Sequence, residues 1–80
     1  MSTLTFRLSV DRAEGALERV LGVVRRRRLG LERLSVEEAG DGNWDIAIRA
    51  SASETEAGLA LRQFNALIDV RTARVDDATA

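Results

Sequence analysis

The spacing of the hydrophobic residues changes four times along this chain, between a period of two and a period of about 3.6 residues. Residues 3–10, TLTFRLSV, alternate strictly between apolar and polar side chains. This alternation predicts a β-strand that buries one face. Six apolar residues then follow at spacings of three and four, which predict an amphipathic helix: Ala13, Ala16, Leu17, Val20, Leu21 and Val24.

The ends of this first helix are marked by polar residues and by glycine. Asp11 and Glu14 have the spacing of a capping box, so Asp11 is expected to cap the helix, and Gly30 is expected to stop it. The four arginines of residues 25–28 are expected in the last helical turn, where cations interact favourably with the helix dipole. Contact of these arginines with a partner protein or with phosphate stays open as an alternative.

The middle of the chain predicts a β-hairpin. Residues 31–39 form the first strand, with Leu34 and Val36 inward, and Leu31 breaks the alternation, which predicts a bulge or an irregular start. GDGN at 40–43 is a turn rich in residues that tolerate positive φ. The returning strand, NWDIAIRA, has an inward face made of Trp44, Ile46, Ile48 and Ala50.

A second helix and a last strand complete the pattern. Ser53 and Glu56 form a second capping box, and the helix buries one apolar side. The last strand is predicted at 68–75 with three apolar residues, Ile68, Val70 and Val75. The order βαββαβ with one polar sheet face favours a ferredoxin-like α+β sandwich, a four-stranded antiparallel sheet with two helices on one face. One domain is expected over residues 1–80, with a core from about 3 to 76 and a frayed segment 77–80.

Composition excludes several classes of function. The net charge is −1 and the pI near 5.4, which argues against a general nucleic-acid binder. The absence of Cys and His removes thiol chemistry, zinc sites and histidine acid–base catalysis, and no cofactor is expected. No signal peptide or membrane-spanning stretch is recognised, so a cytoplasmic protein with no membrane contact is expected.

No catalytic constellation is found, so a binding protein is expected. Neighbouring residues on a strand face opposite sides, so the pair Glu37 and Glu38 would not cooperate as acid and base. Ser35 and Ser53 have no histidine to activate them. RNA binding by an open sheet is disfavoured, because such a sheet displays aromatic residues that stack on bases. The outward positions here hold no aromatic residue; they are Thr5, Arg7, Asp45, Ala47 and Arg49.

The turn from the first strand into the first helix is the candidate binding site. Its free N–H groups at a helix N-terminus are suited to a carboxylate. Gly15 lies in the first turn, where the missing side chain would let a ligand approach. The alternative is that glycine is simply tolerated there.

The stretch from Gly15 to Leu34 resembles the ACT-domain pattern of the small regulatory subunits of acetolactate synthase. That pattern reads roughly Pro-Gly-x-Leu-x-Arg-Val-x-Gly-(x)3-Arg-Arg-Gly-[Phe/Tyr]-Asn-Ile-Glu-x-Leu. Without a gap the chain supplies Gly15, Leu17, Arg19, Val20, Gly22, Arg26, Arg27, Glu32 and Leu34, with Leu29 and Leu31 as conservative replacements. Together with the downstream FNALIDV, this is similar to the short, single-domain form over about residues 4–75.

The resemblance implies a non-catalytic subunit that binds and activates the thiamine-diphosphate-dependent catalytic subunit in branched-chain amino acid biosynthesis. Such domains pair as homodimers through their sheets and bind an effector such as valine at the interface. On this chain the effector-binding candidates are Asp11, Arg12, Ala13, Glu14, Gly15, Ala16, Leu17, Leu29, Gly30 and Leu31. No catalytic and no metal-binding residue is implied.

Three departures from the pattern bear on effector binding. The proline is replaced by Glu14, whose charge would repel an effector carboxylate. The asparagine is replaced by Gly30, and one lost hydrogen bond to a charged group costs about 1.5–3 kcal/mol. The glycine before the second strand is Arg28, so the helix exit is expected to be rearranged. The hypothesis is activation without strong valine feedback.

Two other functions stay open. One is a free-standing ACT domain that senses a small amino acid and regulates another enzyme. The other is a ferredoxin-like binder of RNA or phosphate that uses the arginine run, whose association with anions would depend on salt.

Overall fold

The computed structural model describes residues 2–77 as six elements in the predicted order. They are β1 (Ser2–Val10), α1 (Ala16–Arg26), β2 (Gly30–Glu38), β3 (Trp44–Ala52), α2 (Glu54–Ala66) and β4 (Val70–Asp77). The ferredoxin-like sandwich is thereby confirmed. Asp77 pairs with Leu4 at the end of β4. The rest of the segment expected to fray, residues 78–80, lies outside the described residues.

The four strands form one antiparallel sheet in the order β2-β3-β1-β4. In the register, Phe6 of β1 lies between Ile48 of β3 and Val75 of β4, so the alternating apolar residues of neighbouring strands share one face. Both helices pack on this face. The opposite face carries the alternate, mostly polar residues and has no helix over it.

The core lies between the helices and the covered face of the sheet. Phe6 and Phe64 are fully buried and meet edge to face, with ring centroids 5.4 Å apart and an interplanar angle of 64°. Such a pair contributes about 0.5–1.5 kcal/mol beyond the area that it buries. The other fully or almost fully buried large side chains are Val10, Val20, Val23, Ile46 and Ile48.

The hairpin between β2 and β3 follows the sequence prediction, including its irregular start. The register shifts between Leu31 and Arg33, which confirms the bulge. Gly42 has a φ of +86° in the turn, and the N–H of Ala39 donates to the Asn43 carbonyl at 2.7 Å. Val36 was predicted to be inward, yet 39% of it is exposed, because β2 is an edge strand.

Helix α1 begins later than predicted, and Asp11 does not cap it. Gly15 is the N-cap, with a φ of +80°, and no side chain caps the helix. The Asp11 carboxylate instead accepts a hydrogen bond from Nε of Arg71 at 2.6 Å. The buried stripe also gains Val23, which the spacing analysis left out.

Helix α2 confirms its predicted cap, whereas β4 begins later than predicted. The Glu56 N–H donates to Oγ of Ser53 at 3.1 Å. Ile68 was predicted to begin the last strand, but it lies outside β4 and is 89% exposed. The Val70 N–H donates to the Leu67 carbonyl at 3.1 Å, which places Ile68 in the tight turn before β4.

Candidate functional site

The first candidate segment, Asp11 to Leu17, lies where β1 ends and α1 begins. Its backbone is held by short-range hydrogen bonds, including Ala16 N–H to the Ala13 carbonyl at 3.0 Å. The N–H of Asp11 donates to the Asp69 carbonyl at 2.7 Å, which ties the turn to the connection between α2 and β4. Ala16 is buried, whereas Arg12 and Glu14 are exposed.

The surface over Gly15 is occupied by the side chain of Arg19. The guanidinium donates to the Asp69 carboxylate through Nε, at 2.8 Å, and through Nη2, which also donates to the Glu14 carbonyl at 3.1 Å. A Cβ on Gly15 would lie 2.9 Å from Nη1 of Arg19. Glycine is therefore favoured at this position by its positive φ, and a Cβ there would also displace the end of the Arg19 side chain.

The pair of Arg19 and Asp69 is the best-shielded ion pair at this end of the molecule. The Asp69 side chain is only 13% exposed, and it carries no basic partner other than Arg19 among the described residues. Because shielding from water strengthens such contacts, this pair outweighs the exposed ones nearby. The contact between Arg19 and Asp69 was not predicted, although Arg19 belongs to the family pattern, because the two residues lie 50 positions apart in the sequence.

Two further arginines connect the surrounding loops. Nε of Arg71 lies 2.6 Å from Asp11, and its Nη1 lies 3.7 Å from Asp41. Arg12 donates to Glu38, and its guanidinium carbon lies 5.8 Å from the centroid of the Trp44 ring. The turn therefore presents a fixed, charged surface. The arginines that bridge it come from α1, β4 and the turn itself.

The second candidate segment, Leu29 to Leu31, lies at the other end of α1. An 11-residue helix separates the two segments, which corresponds to about 16 Å at 1.5 Å per residue. Leu29 is buried in the core, Gly30 is exposed and Leu31 is 46% exposed. One protomer therefore does not bring the two halves of the predicted site together.

The exit of α1 is an intact Schellman motif, so the expected rearrangement is wrong. Arg28 adopts a φ of +53°, its N–H donates to the Arg25 carbonyl, and the Leu29 N–H donates to the Val24 carbonyl, both at 3.1 Å. Arg28 thus takes the left-handed conformation that usually belongs to glycine. The prediction that Gly30 stops the helix is also wrong, because α1 ends at Arg26 and Gly30 starts β2.

Gly30 lies close to the neighbouring strand β3. It pairs with Ser51 of β3, and a Cβ at Gly30 would collide with Oγ of Ser51 and lie 3.4 Å from its carbonyl oxygen. An asparagine, as in the family pattern, would need Ser51 to move. Glycine in place of the asparagine of the family pattern thus leaves the candidate site without a side-chain amide and lets β2 lie close to Ser51 of β3.

The four arginines do not lie together in one helical turn, contrary to the prediction. Arg25 and Arg26 end the helix, Arg27 is its C-cap and Arg28 lies beyond it. Among the side chains of residues 2–76, no ion pair involves any of the four. Nε of Arg27 is buried without a hydrogen-bond partner among the described residues.

Other kinds of site were sought in the part of the chain that the structure describes. No group of three or more acidic residues there could hold a metal ion. The aromatic residues Phe6 and Phe64 are buried in the core, and Trp44 is half-buried beside Arg12. None of the described helices is long and apolar enough to cross a membrane.

Comparison with known proteins identifies the architecture. A family model described as the ACT domain matches residues 12–73. The acetolactate synthase small subunit from Thermotoga maritima superposes with a TM-score of 0.86 at 16% identity, and the match covers 99% of this chain and 50% of that one. The ACT domain of GTP pyrophosphokinase from Chlorobium tepidum gives 0.81 at 12% identity, covering 94% and 97%.

A third similar structure belongs to a larger enzyme. It is the formyltetrahydrofolate deformylase from Burkholderia mallei, with a TM-score of 0.80, 20% identity, and coverage of 98% of this chain and 29% of that one. At these identities the likeness shows a shared fold. A search of curated protein sequences gives no significant match.

Proposed function

The chain belongs to the ACT-domain family, and on that premise we propose that it is the non-catalytic regulatory subunit of acetolactate synthase. It would act in the cytoplasm, bind the thiamine-diphosphate-dependent catalytic subunit and raise its activity in branched-chain amino acid biosynthesis. The observation that carries the proposal is the ungapped correspondence from Gly15 to Leu34 with the small-subunit pattern. The fold likeness to the Thermotoga maritima small subunit is consistent with it.

We propose that the active form is a homodimer in which the β2 edges pair. Helix α2 packs against β4 at one edge of the sheet. At the other edge, Leu31 and Val36 remain 46% and 39% exposed beside the unpaired backbone of β2. An exposed edge strand with apolar residues is a template for pairing with another chain. Pairing with a second copy would cover both the backbone groups and these side chains.

A homodimer of this kind would also complete the effector site. In antiparallel pairing, the start of β2 in one protomer lies beside the end of β2 in the other. Glu38 ends β2 and contacts Arg12 of the first candidate segment. Gly30 and Leu31 of the second protomer would therefore approach the turn between β1 and α1. Leu29 is buried in the core, so it would hold Gly30 and Leu31 in place and would not contact the effector.

We propose that valine, the expected effector, binds this site weakly or not at all. Glu14 is exposed next to Gly15, Gly30 provides no amide, and Arg19 already covers the turn. One missing hydrogen bond to a charged group lowers affinity roughly ten- to a hundredfold. Isothermal titration calorimetry with valine is expected to give no saturation in the micromolar range. A micromolar dissociation constant would contradict this part of the proposal.

Reconstitution tests the assignment directly. The chain is mixed with the acetolactate synthase catalytic subunit of the same genome, and acetolactate formation is followed with and without valine. Stimulation that valine leaves unchanged is the expected result. Stimulation that valine reverses would keep the assignment and reject the weak feedback. The absence of both stimulation and complex formation would reject the assignment.

The second candidate function is a free-standing ACT domain that senses a small amino acid and regulates another enzyme. It is favoured by the range of proteins that share the fold, which includes a GTP pyrophosphokinase and a formyltetrahydrofolate deformylase. A gene for the catalytic subunit next to the gene for this chain would favour the first function over the second.

A further inference from the structure

Like charges lie opposite each other at three places on the face of the sheet that carries no helix. Arg33 of β2 and Arg49 of β3 form one such pair, and two further pairs form an acidic group and a basic group. Glu37 of β2 and Asp45 of β3 are directly opposite each other in the register. Arg7 of β1 and Arg74 of β4 are likewise opposite each other. Like charges in such positions repel, so each pair favours a counterion.

The basic group has a counterion within the chain, whereas the acidic group has none among the described side chains. Nε of Arg7 lies 2.8 Å from Asp76, and Nε of Arg74 lies 3.6 Å from the same carboxylate. One carboxylate therefore serves two guanidinium groups, and one positive charge is in excess. Within residues 2–77, Glu37 and Asp45 form no ion pair. The acidic group and the basic group both have charge left for a partner.

A concavity of about 480 Å³ lies on the boundary between these groups. Its walls are the two arginines and the two acidic residues, and its floor includes the short side chains of Ser9, Ser35 and Ala47. Asp45 lies opposite Ser9, and Ala47 lies opposite Arg7. Asp45 and Arg7 are therefore diagonal neighbours, with Cα atoms about 7–8 Å apart. Short residues on the floor leave room for side chains of another protein.

A second concavity, of about 470 Å³, lies between α2 and the strands β1 and β4, but Glu54 is the one charged residue among those that line it. On α2, Leu59 is exposed. The neighbouring Gly58 adds no apolar side chain to it. A single exposed leucine is normal for a soluble protein surface. Pairing of the β2 edges would leave the helix-free face accessible in both protomers.

Resting on the function proposed above, we infer that the helix-free face of the sheet is the surface that meets the catalytic subunit. The complementary segment of the catalytic subunit places a cationic side chain against Glu37 and Asp45, and an anionic side chain against Arg7 and Arg74. Since the face carries no large apolar side chain, charge complementarity sets the rate and specificity of association. The complex therefore weakens as salt is added.

The test measures activation of the catalytic subunit as a function of the concentration of this chain. Two variants change the helix-free face: the double variant Glu37→Gln/Asp45→Asn and the charge reversal Arg74→Glu. The matched control is Arg62→Glu, an exposed arginine of α2 with no ion pair to the described residues. Circular dichroism and thermal unfolding confirm that each variant folds, and sedimentation confirms its oligomeric state.

Each variant of the helix-free face is expected to raise the concentration needed for half-maximal activation at least about tenfold, equivalent to the loss of one charge pair. The control is expected to behave as the wild type. If the wild type activates and all three variants match it, the surface assignment is wrong while the proposed function stands. If the wild type neither binds nor activates, both are wrong. An effect of the control alone would move the contact to α2 and overturn the inference.

Discussion

Gly15 and Arg28 both have positive φ, at opposite ends of α1, but only one of them is glycine. At Gly15 a side chain would be strained by the backbone and would displace the end of Arg19. At Arg28 the Schellman hydrogen bonds hold a non-glycine residue in the left-handed conformation, which costs roughly 1–2 kcal/mol. The sequence singled out Gly15 and left open whether a ligand approaches it or glycine is simply tolerated; in the structure the space beside it holds the Arg19 side chain.

Replacement of Gly15 by alanine is expected to lower the free energy of unfolding by about 1–2 kcal/mol. The new Cβ would be strained at a φ of +80° and would displace the Arg19 guanidinium from its position beside Glu14 and Asp69. Urea unfolding measures the change. Gly58→Ala is the control, because it has open space in α2 and is expected to stabilise by about 0.5–1 kcal/mol. Equal effects at the two glycines would contradict this account.

Replacement of Arg28 by glycine is expected to raise the free energy of unfolding by about 0.5–1 kcal/mol. The relief of left-handed strain is partly offset by the greater freedom of glycine in the unfolded chain. Arg26→Gly removes the same side chain type from the end of the helix itself and is expected to destabilise by about 0.5–1 kcal/mol. A destabilising effect of Arg28→Gly would show that its side chain contributes more than its strain costs.

At the scale of the elements, the two helices share the spacing of a capping box but differ in how they begin. Ser53 caps α2 as predicted. Asp11 has the same spacing to Glu14 as Ser53 has to Glu56, yet α1 begins only at Ala16 and the Asp11 carboxylate is bound by Arg71 of β4. Asp11 lies four residues before the N-cap Gly15, too far from the first free N–H groups of α1 to cap them, and its carboxylate accepts from Arg71, 60 residues away in sequence.

The two residues should therefore respond differently to alanine. Ser53→Ala is expected to lower the free energy of unfolding by about 1 kcal/mol, the usual cost of losing an N-cap. Asp11→Ala is expected to cost only a few tenths of a kcal/mol, because it loses a solvent-exposed ion pair. Thermal or urea unfolding of both variants measures the difference. A loss of 1 kcal/mol or more with Asp11→Ala would indicate that it stabilises α1 after all.

At the scale of the whole molecule, the two edges of the sheet are not equivalent. Helix α2 packs along β4, while β2 keeps partly exposed apolar residues at its edge. With 80 residues, the chain buries a limited share of its surface, so the covering of β2 by a second copy would add stability. This asymmetry is the physical basis for the proposed homodimer.

Val36→Lys is expected to weaken the homodimer at least about tenfold, because a lysine on an edge strand opposes pairing with another chain. The fold should persist, since 39% of Val36 is already exposed. Sedimentation equilibrium gives the dissociation constant, and circular dichroism checks the fold. Thr55→Lys, at an exposed position of α2, controls for the added charge. A wild type that is monomeric, or a dimer that Val36→Lys leaves intact, would exclude pairing through β2.

The sequence by itself determined the elements whose pattern is local and periodic. The alternation in β1 and β3, the turn at Gly42, the bulge after Leu31 and the cap at Ser53 all follow from residues close in sequence. These features, with the order βαββαβ, were sufficient for the fold, whereas the family resemblance rested on the pattern from Gly15 to Leu34. The boundaries of α1 and β4 were less accurate, since they depend on contacts between distant segments.

Only the tertiary structure decided the state of the candidate site. It placed Asp69 against Arg19, Arg71 against Asp11 and Ser51 against Gly30, three pairs that no local pattern relates. It also separated the two halves of the predicted site by the length of α1. The physical reason is that a helix carries the chain from one end of the sheet to the other. Segments on either side of α1 therefore end far apart, while loops distant in sequence meet at the same end of the sheet.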